Sequence, residues 1–156
     1  KKKKRELRLP LSNGGKNKMA DAVTSQTLAD GERTAVIKLT NISDGTGESS
    51  VKKIDVDTLV NNASGDNCSR VAISQVWYDI GGMRVALEFN ASSNVVGLVL
   101  GGSAAAGPVS GYMDFRSFGG IKNNAGSGID GDIDLTTHGH TAHDHYTIIL
   151  ELIKSY

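Results

Sequence analysis

Across residues 28–153, short stretches of alternating apolar and polar residues are each closed by Gly, Asn, Asp or Ser. A period of two puts successive side chains on opposite faces of a strand, so the pattern predicts an all-β domain of many short strands. The expected strands cover 34–40, 51–56, 70–80, 83–89, 95–100, 109–115, 132–136 and 146–154. In the fourth, Met83, Val85, Leu87 and Phe89 point one way while Arg84, Ala86 and Glu88 point the other. Gly81-Gly82 between the third and fourth predicts a two-residue hairpin. In the third, Val71, Ile73 and Trp77 fall on one face, which places Trp77 in the core and the adjacent Tyr78 outside. Residues 57–69 read as irregular, with room for one helical turn around Val56, Leu59 and Val60.

About eight strands joined every ten or so residues suit a sandwich or barrel. The expected fold class is therefore all-β: a single-domain antiparallel β-sandwich, jelly-roll-like, over residues 28–156. Residues 1–27 lack hydrophobic periodicity and are expected to be a disordered or loosely attached arm. No internal repeat points to a solenoid or propeller.

At 156 residues the chain supports one domain with a sizeable core. Nineteen glycines against two prolines suit a turn-rich β architecture. Aromatic residues make up only 5%, which offers little stacking surface for bases or sugars. No apolar run is long enough to cross a bilayer as a helix. The single cysteine, Cys68, excludes an intrachain disulfide and reads as a small, partly buried residue ahead of a strand.

Balanced totals of 17 basic and 17 acidic residues conceal an asymmetry. Eight of the basic residues and one acid lie in 1–18, giving +7 there and −7 over 19–156. A basic arm on an acidic domain fits a nucleic-acid tail. A translated leader explains it better. Gly14-Gly15-Lys16-Asn17-Lys18 before Met19 is what a purine-rich ribosome-binding site yields when read in frame. On this expectation residues 1–18 are absent from the mature protein, and they lack the apolar segment of a secretory signal.

Candidate chemistry is sparse. All four histidines, His138, His140, His143 and His145, lie in HGHTAHDH beside Asp144. Converging imidazoles bind zinc, copper or nickel, but Gly139 and Thr141-Ala142 suggest a hairpin tip with solvated rings. Asp130, Asp132 and Asp134 would line one strand face and suit Ca²⁺. The EF-hand pattern fails, because Leu135 stands at its sixth position and Thr141 at its twelfth. A solvated outer face is expected instead. The loop Asp44-Gly45-Thr46-Gly47-Glu48 lacks the Lys-Ser/Thr of a P-loop and lies between strands. Neither a nucleophile elbow nor a zinc-protease helix is present. No catalytic, cofactor-binding or metal residue is assigned, and no cofactor is expected.

The chain resembles a group of small virion structural proteins of tailed bacteriophages. The resemblance rests on 24–33 (TSQTLADGER), 43–49 (SDGTGES), Val76-Trp77-Tyr78, Asp114-Phe115, 119–126 (GGIKNNAG), Gly131-Asp132-Ile133 and Tyr146-Thr147-Ile148. It spans residues 20–156 and is carried by turns and strand cores, so it identifies a fold more than a chemistry. The histidine-rich 138–145 departs from it. The resemblance implies a non-enzymatic virion protein made in the host cytoplasm. Its expected role is capsid decoration or cement, binding the major capsid protein or other virion proteins. A homo-oligomer, taken as a trimer, is expected, with neither nucleic acid nor membrane as partner. An acidic domain is repelled by packaged DNA, which favours the outer capsid surface.

Three alternatives remain open. One moves the protein to the neck or tail of the virion. Another is a carbohydrate-binding sandwich for host attachment, with Ca²⁺ at Asp130, Asp132 and Asp134. That role favours exposed aromatics on one face, a poor match to aromatics placed within strands. A metal-dependent enzyme built on the histidine segment ranks last.

Overall fold

A computed structural model describes residues 21–102 and 107–156. The leader expected over 1–18, and part of the small-residue linker at 101–107, lie outside these residues. Among the described residues, nine strands form two antiparallel sheets. They are β1 (Ala22–Asp30), β2 (Thr34–Asp44), β3 (Val51–Ile54), β4 (Arg70–Gly81), β5 (Arg84–Phe89), β6 (Val95–Gly101), β7 (Val109–Asp114), β8 (Ile133–His138) and β9 (Ala142–Ser155). One sheet has the order β1-β2-β9-β4-β7 and the other β3-β8-β5-β6. Without β1, the orders 2-9-4-7 and 3-8-5-6 are those of an eight-stranded jelly roll, so the expected class holds.

The core lies between the sheets. From the first sheet come Ala35, Ile37, Leu39, Ile73, Val76, Ile80, Ile148, Leu150 and Leu152; from the second, Val85, Leu87, Phe89, Leu100, Ile133 and Leu135. Met83, Val85, Leu87 and Phe89 all face inward as their alternation predicts. A short 3₁₀ turn at Val56–Thr58, capped by the Asp55 side chain, opens the segment that reads as irregular, at the place where the sequence leaves room for one helical turn. Cys68 is buried, and burial pushes its thiol above the usual range.

Three expectations are corrected. The first concerns Gly81-Gly82, which does not close a hairpin. β4 pairs with β7 and β9, whereas β5 pairs with β6 and β8. The turn, with Gly82 at φ +81°, carries the chain from one sheet to the other. Alternation fixes which face of a strand is apolar, and both strands satisfy it by facing each other across the core.

The second correction concerns the N-terminal arm, because strand begins at Ala22, ahead of the expected boundary at 28. β1 pairs with β2 along nearly its whole length, yet eight of its nine residues are exposed. It overhangs the four-stranded sheet, so neither face is covered and no apolar period marks it. Both of its ends are clamped. Asp21 accepts hydrogen bonds from Asn41 Nδ2 (3.1 Å) and Asp44 N (2.7 Å). Asp30 accepts from Val60 N (2.8 Å) and pairs with the fully buried ammonium of Lys154.

The third correction is Trp77, which is 39% exposed on the outer face of the five-stranded sheet. A β-bulge is the cause. Register shifts between Ile73 and Gln75 against β9, so Ser74 is an extra residue. Odd-numbered Val71 and Ile73 face the core before it, and even-numbered Val76 and Ile80 after it. The bulge is held by Phe115 N donating to Ser74 O (2.8 Å), by Ser74 Oγ donating to Glu151 (2.7 Å) and by the Ile73–Ile121 bridge. Trp77 and Tyr78 do point to opposite faces, but Tyr78 is the one that packs against the core.

Candidate functional site

Past the bulge, the outer face of the five-stranded sheet carries three cross-strand rows. The register aligns Thr147, Asp79 and Ser110 in one, Ile149, Trp77 and Tyr112 in the next, and Glu151, Gln75 and Asp114 in the third. An apolar, aromatic row thus lies between two polar ones. Trp77 and Tyr112 stack with ring centroids 5.1 Å apart and an interplanar angle of 29°. The Tyr112 hydroxyl donates to Gln75 Oε1 and lies 3.2 Å from Asp114 Oδ2. Partial burial and the adjacent Asp114 carboxylate raise the phenol above its usual range. Arg116 grips Asp114 through Nε (3.0 Å to Oδ1) and Nη2 (2.6 Å to Oδ2), holding that carboxyl well below the usual range. A shallow depression of about 460 Å³ opens over the first two rows. This surface is hidden in the sequence because uninterrupted alternation from Val71 gives Trp77 the core parity, and nothing local marks the bulge at Ser74.

The opposite outer face belongs to the four-stranded sheet, whose two edge strands are β3 and β6; the patch of interest lies on β6. This seven-residue strand, VVGLVLG, carries no charge and no proline. Val96 and Val99 are each 54% exposed. They lie beside Ala86, with Arg84 and His138 at the border.

Polar candidates named from the sequence fall elsewhere. Asp132 and Asp134 are not solvated: each is only 3% exposed, which corrects the expected outer face. Because Ile133 and Leu135 take the core side, period two turns both carboxylates the other way, where neighbouring groups cover them. Asp132 accepts from Val56 N (2.9 Å) and pairs with Lys52, whose pKa is raised chiefly by its own hydrogen bond to Asp132. Asp134 accepts from Asn90 (2.8 Å) and Asn94 (3.1 Å). These contacts pin the β5–β6 turn and the start of the 3₁₀ turn. They leave the aspartates as structural anchors.

The histidine segment joins β8 of one sheet to β9 of the other, so it is a crossover and not a hairpin tip. His138 and His143 are exposed, while His140 and His145 are half-buried. His140 packs on Gly47 so closely that a Cβ there would overlap its ring, and its Nδ1 lies 3.2 Å from Thr137 Oγ1. His145 rests on Gly81, with Nε2 3.8 Å from Asp79 Oδ2. Among the described residues no three His, Cys, Asp or Glu side chains come together in a way that would hold a metal ion.

The glycine loop after β2 has a role invisible in its sequence. Thr46 N bonds back to Asp44 Oδ1 (2.8 Å) in a turn, and this delivers Glu48 into the interior. There Glu48 pairs with Lys53 and accepts from Asn41 Nδ2 (2.9 Å) and the Tyr146 hydroxyl (2.6 Å). Burial, then the Glu48 hydrogen bond, pushes the Tyr146 phenol far above its usual range. This buried network, in which Glu48 is held from three sides while Asn41 Oδ1 has no partner, locks the loop to β2, β3 and β9.

Comparison with known proteins finds no matching family model, curated protein or solved structure.

Proposed function

We propose that this chain is a non-enzymatic bacteriophage virion structural protein: a capsid decoration or cement protein that binds the major capsid protein as a homo-oligomer. The observation that carries this reading is the uncharged edge strand β6, with Val96 and Val99 more than half exposed. Natural sheet proteins blunt free edges with lysine, proline or a covering segment, because an open apolar edge recruits another chain. Among the described residues β6 has none of these, and such an edge is suited to permanent cover in an assembly, by strand addition or by apolar contact. Weak single contacts suffice when many copies bind one lattice.

Two further considerations support it, both by analogy or bulk property. Jelly rolls recur in capsid domains, although they also serve lectins and cupins. The −7 balance of residues 19–156 opposes contact with packaged DNA and favours the outside of the shell.

Cryo-microscopy of intact particles tests the reading. Density for the sandwich repeated over the shell lattice is expected. Density confined to the portal vertex would replace decoration with a neck or tail role. With purified shells, Val96→Asp/Val99→Asp is expected to abolish binding while its circular dichroism stays native. Undiminished binding would remove β6 as the contact.

A further inference from the structure

We propose that the Ile149–Trp77–Tyr112 row, with its two polar neighbours, is a binding platform for a neutral, hydroxyl-rich saccharide of hexopyranose type. The site lies on the five-stranded sheet, across the sandwich from the β6 patch, and it does not depend on the virion role.

The geometry follows from the sheet itself. Strands stand about 4.8 Å apart, so a row crossing β9, β4 and β7 presents an apolar strip of about 10 Å. Rows on one face are two residues apart, or about 7 Å, which places Thr147, Asp79 and Ser110 along one side of the strip. Glu151 and Asp114 lie along the other. A sugar ring has apolar C–H faces and a polar equator. Laid on Trp77 and Tyr112, it puts its faces on the rings and its hydroxyls toward carboxylate and hydroxyl groups. The aromatic pair is also fixed in advance. Its stack, and the Tyr112 bond to Gln75, limit the ordering that a ligand has to impose.

Charge decides between occupants. Asp79, Asp114 and Glu151 border the row; Arg116 is already committed to Asp114, and Lys38 of β2, opposite Ile149, sets one ammonium against three carboxylates. Anionic polymers, whether nucleic acid or acidic glycan, meet repulsion here. A protein partner would have to strip water from the Asp79 carboxylate, half-exposed beside His145, at a cost that apolar contact alone does not return. Sugar hydroxyls replace that water bond for bond. Neutral saccharide is the chemistry that satisfies both the rings and the acids.

Trp77 is the only tryptophan in the chain, so its emission reports this surface and nothing else. The full chain should be titrated with cello-, malto- and galacto-oligosaccharides, and with heparin as the anionic comparison. At least one neutral oligosaccharide is expected to shift Trp77 emission saturably and to protect it from acrylamide. Tyr112→Ala, which keeps the reporter, is expected to weaken binding about tenfold or more. Asp79→Asn, which leaves the sheet undisturbed, is expected to weaken it severalfold, so a misfolded Tyr112 variant would not leave the question open. The inference fails if no neutral sugar acts at millimolar concentration, or if heparin alone does. It fails equally if purified shells protect Trp77 where sugars do not, since the face would then be a protein contact.

Discussion

Ile73 and Val76 both point into the core although three positions separate them, a spacing that an unbroken strand cannot accommodate. Ser74 supplies the missing step as a bulge, and everything beyond it on β4 changes face. The aromatic surface of this protein is a product of that one extra residue.

Trp77→Ala tests the inversion directly. A core tryptophan replaced by alanine costs about 3–5 kcal/mol. At 39% exposure Trp77 loses its Tyr112 stack and part of its cover along the row beside Ile149, and about 1–2 kcal/mol is expected. Urea denaturation followed by circular dichroism measures this, and a loss in the core range would return Trp77 to the interior.

Much of the architecture is legible in the sequence, and its gaps have physical causes. Alternation finds β5 and the inward set from Met83 to Phe89, because an unbroken strand covered on one face writes its period plainly. β1 escapes because it is bare on both faces, so its ladder with β2 leaves no apolar trace. Sheet membership also escapes: the Gly81-Gly82 turn serves a hairpin and a change of sheet equally well. Of the polar residues, Asp132 and Asp134 do take the side away from the core that their parity predicts, yet they are buried there. Their cover comes from Asn90, Asn94, Lys52 and Val56, residues distant in sequence. Glu48 sits in a loop of turn formers, and nothing local announces that it turns inward.

Asp30→Ala should be among the most damaging substitutions outside the apolar core. Lys154 Nζ is fully buried, and Asp30 is its counter-charge. Stranding that ammonium is expected to cost about 3–5 kcal/mol, whereas Asp30→Ala/Lys154→Met should recover most of the loss. A double-mutant cycle in guanidinium chloride measures both. Equal stability of the single and double variants would show that the pair is not buried as described.

Gly47→Ala should disturb the histidine crossover from the far side of the chain. Gly47 has φ +71°, and an added Cβ would overlap the His140 ring. Both the strained backbone and the displaced ring oppose the substitution, for which about 1–3 kcal/mol is expected. Imidazole resonances followed by NMR should show His140 moving while His138, exposed on β8, stays put. An unchanged His140 would remove the packing of the two segments.

Tyr146→Phe gives a pH dependence with a definite sign. In the native chain the phenol is buried and donates to Glu48, so its pKa lies above the ordinary tyrosine value of about 10. Between those two values the unfolded chain releases a proton that the folded chain retains. Stability from this group is therefore complete below pH 10 and declines as pH rises beyond it. At pH 7 the variant should be less stable by about 1.5–3 kcal/mol, the worth of a hydrogen bond to a charged acceptor. Above pH 10 the gap between the two proteins should narrow, because phenylalanine has no proton to lose in either state. Denaturation midpoints from pH 8 to 11 provide the measurement. Parallel profiles across that range would mean that Tyr146 already ionises in the folded protein as freely as in the unfolded one, and the buried Glu48 network would have to be redrawn.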